Sequence, residues 1–392
     1  MDSNFNFDSS NKLLNKFYLL FFIYNIKQKK IIKSTKIIKI LLIFIISIII
    51  FYSIFINNKK FYNFLNKKQK TNILDDISKK RIFFFDKKGE INFCTNFSIL
   101  IYNYLYDKPK PYFGNIGDYI QSIAALQYLP QDCFPSFIDR DNIRFYNGHK
   151  SSIILNGWYN LGKGNRLISE KISPLYISYH ISNKKNIDHS VINNLKKYQP
   201  IGCRDIHTKK VLQKFGINSY FSSCLTTSLD IYFGVKDSER TNEIIFIDYK
   251  FGDFPEADNF IKSLNSYDFS HIIYISHKFR LNISQFDRFK LAKNLLERYA
   301  RAKLVISTRL HGALPCLGLK TPNIFINKNY DIRLPGLYEL LNTIGINSRG
   351  KFEINVRLNN KNLVVNKPYY IKYSNKLKEN IRKNLNKLLE TY

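Results

Sequence analysis

Cysteine is scarce in this sequence, and its cysteines show no pattern typical of a zinc or redox site. The chain has five cysteines and no CxxC pair, and the odd number leaves at least one thiol free. Cys203 and Cys224 are one possible disulfide if the folded part is lumenal. Asp139 and Asp141 form an Asp-x-Asp, which holds a metal in some sugar-transferring enzymes, but a solvated turn is the stronger interpretation. We expect neither a metal nor another cofactor.

Acidic residues are also scarce, and the resulting positive charge is spread along the chain. The sequence has 61 Lys and Arg against 30 Asp and Glu, a net charge of +31. Residues 1–71 hold 13 of the lysines, and the other basic residues are distributed thinly. No zinc-finger spacing, basic zipper or RNA-stacking aromatic motif accompanies them. We expect no nucleic-acid partner, because a basic surface suits anionic substrates or an anionic membrane face equally well.

One long uncharged stretch near the N-terminus predicts a membrane anchor. Residues 40–56 (ILLIFIISIIIFYSIFI) carry no charge, and with Ile37, Ile38 and Lys39 they reach the length that spans a bilayer. The stretch begins far from the N-terminus and lacks the small residues that follow a cleaved signal peptide. We predict a basic leader at 1–36, a transmembrane helix at 37–56 and a polar stem at 57–80.

Lysines on both sides of this helix indicate its orientation. Six lysines precede the uncharged run at 40–56, from Lys27 to Lys39, and five follow it, from Lys59 to Lys70. The excess favours a cytoplasmic N-terminus, which puts the large C-terminal part outside the cytosol. Glycosylation sequons at Asn96 and Asn282 fit that placement. We predict a single-pass membrane protein whose large part lies in the lumen of the endoplasmic reticulum or Golgi.

The rest of the chain alternates short apolar runs with amphipathic segments, which indicates an α/β fold. The apolar fraction is 45%, with 32 Phe and 27 Tyr, enough for real hydrophobic cores. Strands and helices of this length imply parallel sheets with right-handed crossovers. We predict α/β domains at 81–231 and 243–350, with strand-end turns facing a central cleft, and a basic tail at 351–392 with a helix at 374–389. Predicted strands lie at 81–85, 152–155, 175–180, 243–248, 271–276, 304–306 and 323–326, and helices near 118–129 and at 208–215 and 289–302.

The turn at residues 307–312 (STRLHG) is the main candidate site. It follows an apolar run and precedes a helical segment, so it should open at the carboxyl edge of a parallel sheet, where ligands bind. Arg309 and His311 can put a fixed cation and a titratable group on one small anion. Ser307 or Thr308 could cap the following helix. The structural alternative is a salt bridge for Arg309 and a buried turn position for His311.

Strand ends in the first domain carry further candidates. Asp118 lies near a helix start, where it could orient a sugar hydroxyl, act as a base or cap the helix. His180 ends a predicted strand and is either a site group or a structural histidine. Trp158 lies at another strand end, and it could face a sugar ring or pack in the core.

Arg204 lies at a turn whose layout matches that of Arg309. In both places a strand leads into a turn with an arginine, and a helix and a second strand follow. Two arginines at two comparable sheet edges are the arrangement that a small dianion needs. An ion pair with Asp205 is the structural alternative for Arg204.

Six short motifs, taken together, resemble one known family. Their order and spacing over residues 111–327 are similar to those of the polysaccharide pyruvyl transferases. The motifs are NIGDxxQ at 115–121, IDR at 138–140, LNGW at 155–158, GCRDxxT at 202–208, SCLT at 223–226 and STRLHG at 307–312.

The resemblance implies two Rossmann-like domains arranged as in GT-B glycosyltransferases. It also implies transfer of pyruvate from phosphoenolpyruvate to two hydroxyls of a sugar, which forms a cyclic ketal and releases phosphate. At the matching positions, His311 would be the general acid, and Arg204 and Arg309 would bind phosphoenolpyruvate; the residue types fit this chemistry. Asp118 would be a candidate base, and the remaining candidate substrate contacts are Asn115, Gln121, His180 and Trp158.

Two other functions would use the same architecture. A GT-B glycosyltransferase with a nucleotide-sugar donor would also need two such domains and a basic cleft. A non-catalytic glycan-binding relative would keep the fold, but such a binder needs no proton donor, so His311 and both arginines argue against it. We therefore expect phosphoenolpyruvate, a glycan acceptor and the membrane as partners, and we leave the acceptor sugar and the oligomeric state open.

Overall fold

The computed structural model describes residues 92–104, 113–129, 133–158, 167–181, 187–230 and 235–390. The predicted leader, membrane helix and stem lie outside these residues, and so does the strand predicted at 81–85. Within the described ranges, no helix combines the length and the apolar character that a membrane crossing needs.

Strands and helices alternate along the described chain, which is an α/β protein. The strands are β1 (Asn92–Ile101), β2 (Phe113–Asn115), β3 (Cys133–Asp139), β4 (Ser151–Trp158), β5 (Ile172–His180), β6 (Ile201–Cys203), β7 (Ser219–Phe221), β8 (Ile244–Ile247), β9 (Ile272–Ile275), β10 (Lys278–Arg280), β11 (Leu304–Ser307), β12 (Asn323–Asn327), β13 (Thr343–Ile346) and β14 (Phe352–Asn355). The α-helices are α1 (Ile116–Leu126), α2 (His189–Lys197), α3 (Ile206–Lys214), α4 (Pro255–Lys262), α5 (Gln285–Arg301), α6 (Leu310–Gly318) and α7 (Tyr369–Glu390).

Two Rossmann-like sheets organise these elements. The first has the strand order β3-β1-β4-β5-β6-β7, and its paired strands are parallel. The second has the order β14-β13-β12-β11-β8-β9 and is parallel except for β14, which runs antiparallel to β13. Central strands such as β8 and β11 are buried along their whole length, as strands of a sheet covered on both faces must be. The predicted parallel α/β fold is confirmed, and the domain boundaries remain predictions.

A short antiparallel pair and a contact between α1 and α5 are among the links that join the two sheets. In the pair, β2 precedes α1 and β10 follows the second sheet's edge strand, β9. Beside it, the backbone N–H of Ile116 donates to the carbonyl of His277 over 2.8 Å. In the contact between α1 and α5, the hydroxyl of Tyr119 donates to Oε1 of Gln285 over 2.6 Å, and both side chains are buried. These contacts hold the start of α1 against the second sheet, which decides what meets at the site.

The starts of three helices differ from what the sequence suggested. Asn115, not Asp118, caps α1, because its Oδ1 accepts from the N–H of Gly117 over 3.1 Å. The prediction that Ser307 or Thr308 caps α6 is wrong: the cap position is Arg309, which makes no side-chain cap bond. The predicted helix at 289–302 begins four residues earlier, as α5, because Ser284 caps it at the N–H of Asp287.

The cysteines Cys203 and Cys224 do not form the disulfide that was one possibility. Both are free and buried, as is Cys316. The thiol of Cys203 lies 3.6 Å from the carbonyl of Ile201, and that of Cys224 lies 3.1 Å from the hydroxyl of Thr226. Each sulfur therefore has a local partner within its own turn of chain.

The C-terminal helix returns to the first half of the described chain. The helix predicted at 374–389 is longer and begins at Tyr369. Its Ser374 donates to the carbonyl of Thr227 over 3.1 Å, and Lys378 pairs with Asp230 over 2.5 Å. The apolar face of α7 is thereby covered, because Leu377 and Ile381 are buried.

Candidate active site

One cavity of about 560 Å³ lies where the first sheet, the second sheet and the short pair meet. We call it the central cavity. Its walls come from the β2–α1 turn, from the turn after β6, from the end of β9 and from the start of α6. It is lined by Tyr104, Phe113, Gly114, Asn115, Asp118, Gln121, Arg140, Arg204, His277, Lys278, Thr308, Arg309, Leu310, His311 and Arg333.

Arg204 is the most unusual residue of the central cavity. It follows β6 directly, its backbone N–H donates to the carbonyl of Tyr179 over 2.9 Å, and only 2% of the residue is exposed. Its Nε and Nη2 are buried and have no hydrogen-bond partner among the described residues. Burial accordingly lowers the pKa of Arg204. A buried guanidinium without partners is costly, so its position on a cavity wall points to an anionic ligand.

The predicted alternative, an ion pair of Arg204 with Asp205, is not formed. Asp205 caps α3 instead, where its Oδ1 accepts from the N–H of Thr208 over 2.7 Å. Its other oxygen lies 2.6 Å from Nδ1 of His180. Both oxygens of Asp205 are thus bonded, one to the start of α3 and the other to His180. The guanidinium of Arg204 is therefore free to bind a ligand in the cavity.

Arg309 forms the salt bridge that the sequence suggested as an alternative, yet it also lines the cavity. Its Nε donates to Oδ2 of Asp248 over 2.6 Å, and 41% of its side chain is exposed. Asp248 also accepts from Ser276 and the backbone of His277, and it has a positive φ of 48°. Burial would raise the pKa of Asp248, but the bonds from Ser276 and Arg309 outweigh it and lower that pKa. Asp248 therefore fixes the guanidinium of Arg309 at the cavity wall.

His311 lies in the first turn of α6 and packs directly against the first turn of α1. A Cβ added at Gly117 would lie 2.8 Å from Cβ of His311 and 2.9 Å from its Nδ1, so only glycine permits this approach. The Nε2 of His311 is buried and has no partner among the described residues. Burial lowers the pKa of His311 well below its ordinary value, and the charge of Arg204 lowers it further. Burial and the neighbouring cation therefore both disfavour the protonated imidazole.

Asp118 lines the central cavity from the first turn of α1. Tyr104, at a positive φ of 55°, donates from its hydroxyl to Oδ2 of Asp118 over 2.9 Å. The amide of Gln121 lies 3.4 Å from Oδ1. Burial raises the pKa of Asp118, whereas Arg140 and Tyr104 oppose that shift. A carboxylate in this environment is a stronger base than an exposed aspartate.

Asn115 and Gln121 both line the central cavity, but their side-chain oxygens differ in whether they already accept a hydrogen bond. The side-chain oxygen of Asn115 is used in capping α1. Gln121 is 1% exposed, its Oε1 has no partner in the described structure, and its carbonyl accepts from Nδ2 of Asn156 over 2.8 Å. Gln121 is accordingly the better placed of the two to bond a ligand hydroxyl.

Of the other two predicted contacts, His180 is not brought to the central cavity, and the placement of Trp158 is not tested. His180 is fully buried, and it is not one of the described residues that line the cavity. Its ring is held by Asp205 and lies 3.2 Å from the hydroxyl of Thr208, which is the structural alternative named for it. Trp158 ends β4, and its side chain lies outside the described part of the structure.

Several cavity residues were not predicted from the sequence. His277 follows β9 and is 1% exposed; its Nε2 lies 2.9 Å from the hydroxyl of Tyr299, and burial lowers its pKa to about 4. The strand-end rule that selected His180 would have found it, because His277 directly follows the strand predicted at 271–276. Arg140 belongs to a quoted motif but was not selected. Arg333, paired with Asp331, lies in a loop that carries no sequence signal.

Asp139 and Asp141, the Asp-x-Asp of the first half, both make structural contacts. Asp139 caps a short 3-10 helix and accepts from the N–H of Asn103 over 3.1 Å, while Asp141 pairs with Arg140 over 2.9 Å. Burial raises the pKa of Asp139 to about 6. Within the part of the chain that the structure describes, no three His, Cys, Asp or Glu residues are grouped so that they could hold a metal.

Comparison with known proteins agrees with the motifs that line the central cavity. The family model for polysaccharide pyruvyl transferase matches residues 115–330. None of the curated proteins matches the chain. Among solved structures, an uncharacterised protein of Klebsiella pneumoniae has 17% sequence identity and a TM-score of 0.38, over 64% of this chain and 93% of that chain. Because the family match covers more than half of its length, the chain belongs to the polysaccharide pyruvyl transferase family and is a transferase.

Proposed function

We propose that the protein transfers pyruvate from phosphoenolpyruvate to two hydroxyls of one glycan sugar. The observation that carries this proposal is the buried guanidinium of Arg204, whose Nε and Nη2 lack partners in the described structure. Arg309 and Arg333 line the same cavity. Phosphoenolpyruvate has a carboxylate and a phosphate, so a set of guanidinium groups can bind both ends of it.

His311 is the proton donor in this proposal. Its pKa is low because the ring is buried near Arg204 and other cations. An anionic donor on those arginines offsets their charge, so the pKa of His311 rises when the donor binds. The imidazole then takes up a proton and can give it to C3 of the donor. Binding of the donor would therefore produce the protonated form of His311 that acts as the acid.

The reaction can be written so that every proton is accounted for. The first sugar hydroxyl bonds through oxygen to C2 of the donor and gives its proton to Asp118, while C3 receives a proton from His311. The bond from C2 to the phosphate oxygen then breaks, and its electron pair leaves with the phosphate. The second hydroxyl bonds to C2 and releases its proton to the departing phosphate or to His311. The products are a cyclic ketal with a methyl group and one phosphate.

A donor comparison tests this function. The full-length chain is incubated with a panel of oligosaccharides and either phosphoenolpyruvate or nucleotide sugars, and phosphate release and glycan mass are followed. We expect phosphate release that needs both phosphoenolpyruvate and a glycan. Transfer of a sugar from a nucleotide donor, without glycan-bound pyruvate, would replace the proposal with a glycosyltransferase.

We also propose a GT-B-like arrangement of the two halves and a lumenal position for the catalytic part. The arrangement is supported by the central cavity, whose lining comes from both halves of the chain. The position rests on the predicted anchor at 37–56 and its lysine flanks. Asn282 is exposed in the structure, so its sequon is accessible to glycosylation. Glycosidase treatment of protein from its native cells should shift its mobility, and an Asn282→Gln variant should reduce the shift.

A further inference from the structure

A second cavity of about 750 Å³ adjoins the central cavity. We call it the second cavity. It lies at the carboxyl edge of the second sheet, between the segment after β8 and the edge strand β9, which is where α/β sheets place ligands. Lys278 and Arg309 line both cavities. A molecule in the second cavity would therefore lie next to a donor in the central cavity.

Aromatic rings form one wall of the second cavity. Tyr274 is 57% exposed although it belongs to β9. The ring of Tyr274 makes an edge contact with the ring of the buried Phe246 at a centroid distance of 5.8 Å. Phe251 contacts the ring of Phe246 at 5.2 Å. The wall is thus supported from beneath while one face of Tyr274 stays open. An open aromatic face beside polar groups suits the C–H face of a sugar ring.

The polar groups of the second cavity mix carboxylates with cations. Asp248 and Asp253 line it together with Lys250, Lys278 and Arg309. Asp253 accepts from the backbone N–H of Lys250 over 3.1 Å, and 28% of its side chain is exposed. A hydroxyl-rich neutral ligand can both donate to these carboxylates and accept from the lysines. A diphosphate would instead meet two carboxylates on the same wall.

We infer that the second cavity binds the glycan acceptor, with a sugar ring stacked on Tyr274 and the reacting sugar extending past Lys278 into the central cavity. This inference rests on the proposed function, because it names where the acceptor of that reaction binds. The shared residues put the two substrates side by side. The donor and the stacked sugar ring of the acceptor therefore lie in separate cavities, and the binding of one can be weakened without weakening the binding of the other.

Variants of Tyr274 in the full-length chain test the inference. Tyr274→Ala removes the open ring from an exposed position, so folding should be unaffected. We expect KM for the oligosaccharide acceptor to rise about 10-fold while binding of phosphoenolpyruvate stays unchanged. Tyr274→Phe keeps the face of the ring and should restore the acceptor KM. Tyr369→Ala, at a tyrosine of α7 that is 64% exposed and lines neither cavity, is the matched control.

A binding measurement separates this inference from the proposed function. Saturation-transfer NMR with the same oligosaccharides should show binding to the wild type and to Tyr274→Phe, and weaker binding to Tyr274→Ala. Glycan binding without any pyruvate transfer would contradict the proposed function and leave the inference standing. An acceptor KM and glycan binding that Tyr274→Ala does not change, or a loss of nucleotide-sugar binding instead, would overturn the inference.

Discussion

Replacing Arg204 by methionine should stabilise the free protein and at the same time weaken donor binding strongly. The guanidinium is buried, and its Nε and Nη2 have no partner in the described structure. Replacing a structural arginine breaks its hydrogen bonds, but Nε and Nη2 of Arg204 make no hydrogen bond in the described structure that could be broken. Methionine occupies a similar elongated space without bringing a charge into the interior.

The size of both effects follows from the burial of Arg204. A buried polar atom left without a bond costs about 1–3 kcal/mol, so Arg204→Met should raise the free energy of unfolding by about 1–3 kcal/mol. That corresponds to a rise in Tm of about 2–4 °C per kcal/mol for a chain of ordinary domain size. Removing one partner of a desolvated charge pair costs about 2–5 kcal/mol, so Kd for phosphoenolpyruvate should rise by at least about 30-fold.

Arg288 provides a matched control. It is also buried, at 6% exposure, but each of its three guanidinium nitrogens donates at least one hydrogen bond. It donates to the carbonyls of Ile283, Tyr102 and Leu281 and to the hydroxyl of Tyr119, over 2.6 to 3.1 Å. Arg288→Met would remove these four charge-assisted hydrogen bonds, so it should lower the free energy of unfolding by about 3 kcal/mol or more.

Denaturant unfolding and calorimetric titration with phosphoenolpyruvate measure the two effects. We expect opposite stability changes for the two variants and a loss of donor binding in Arg204→Met. Arg204 would not be a donor-binding residue if Arg204→Met were destabilised as much as Arg288→Met and still bound the donor with wild-type affinity. Arg204 would then have a structural role.

Three further outcomes follow from the site. Gly117→Ala should displace His311 and lower kcat by about 10- to 100-fold. Gly148→Ala, whose added Cβ meets the flexible side chain of Tyr146, should leave kcat unchanged. Equal kcat values for the two variants would contradict the packing of His311 against Gly117. Donor binding near pH 7 should take up about one proton, as calorimetry in buffers of different ionisation enthalpy would show, and His311→Gln should abolish the uptake. Because the folded-state pKa of His277 is about 4, below the ordinary 6.5, its contribution to stability is present above pH 6.5 and is lost as pH falls towards 4. In denaturant unfolding from pH 7 to 4, the free energy of unfolding should therefore fall less steeply for His277→Gln than for the wild type.

The sheets and their turn residues were predictable from the sequence for a local reason. Runs such as β8, which is buried at all four positions, are apolar because both faces of a parallel sheet are covered. Ligand groups follow such runs because the carboxyl ends of parallel strands meet at one edge. That rule alone selects Arg204, Arg309 and His311, and the structure puts all three on one cavity.

The partners of these residues were not predictable, because they depend on how distant segments pack. Arg309 bonds to Asp248, which lies 61 residues earlier, and Asp205 turns to His180, 25 residues earlier. The pairing of β2 with β10 joins three-residue strands, which are too short to show an alternating pattern. That pairing brings His277 to the cavity beside the start of α1.

In the proposed reaction, pyruvate from phosphoenolpyruvate becomes a ketal on a glycan, and C3 of the donor gains a proton. Reaction of the wild type and His311→Gln in deuterated water with ¹³C-labelled phosphoenolpyruvate and a glycan panel, read by NMR, tests this reaction most directly. We expect labelled glycan whose new methyl group carries one deuterium, phosphate in equal amount, and loss of both products in His311→Gln. Unlabelled glycan, or an enolpyruvyl ether that keeps its CH₂ group, would contradict the proposed reaction.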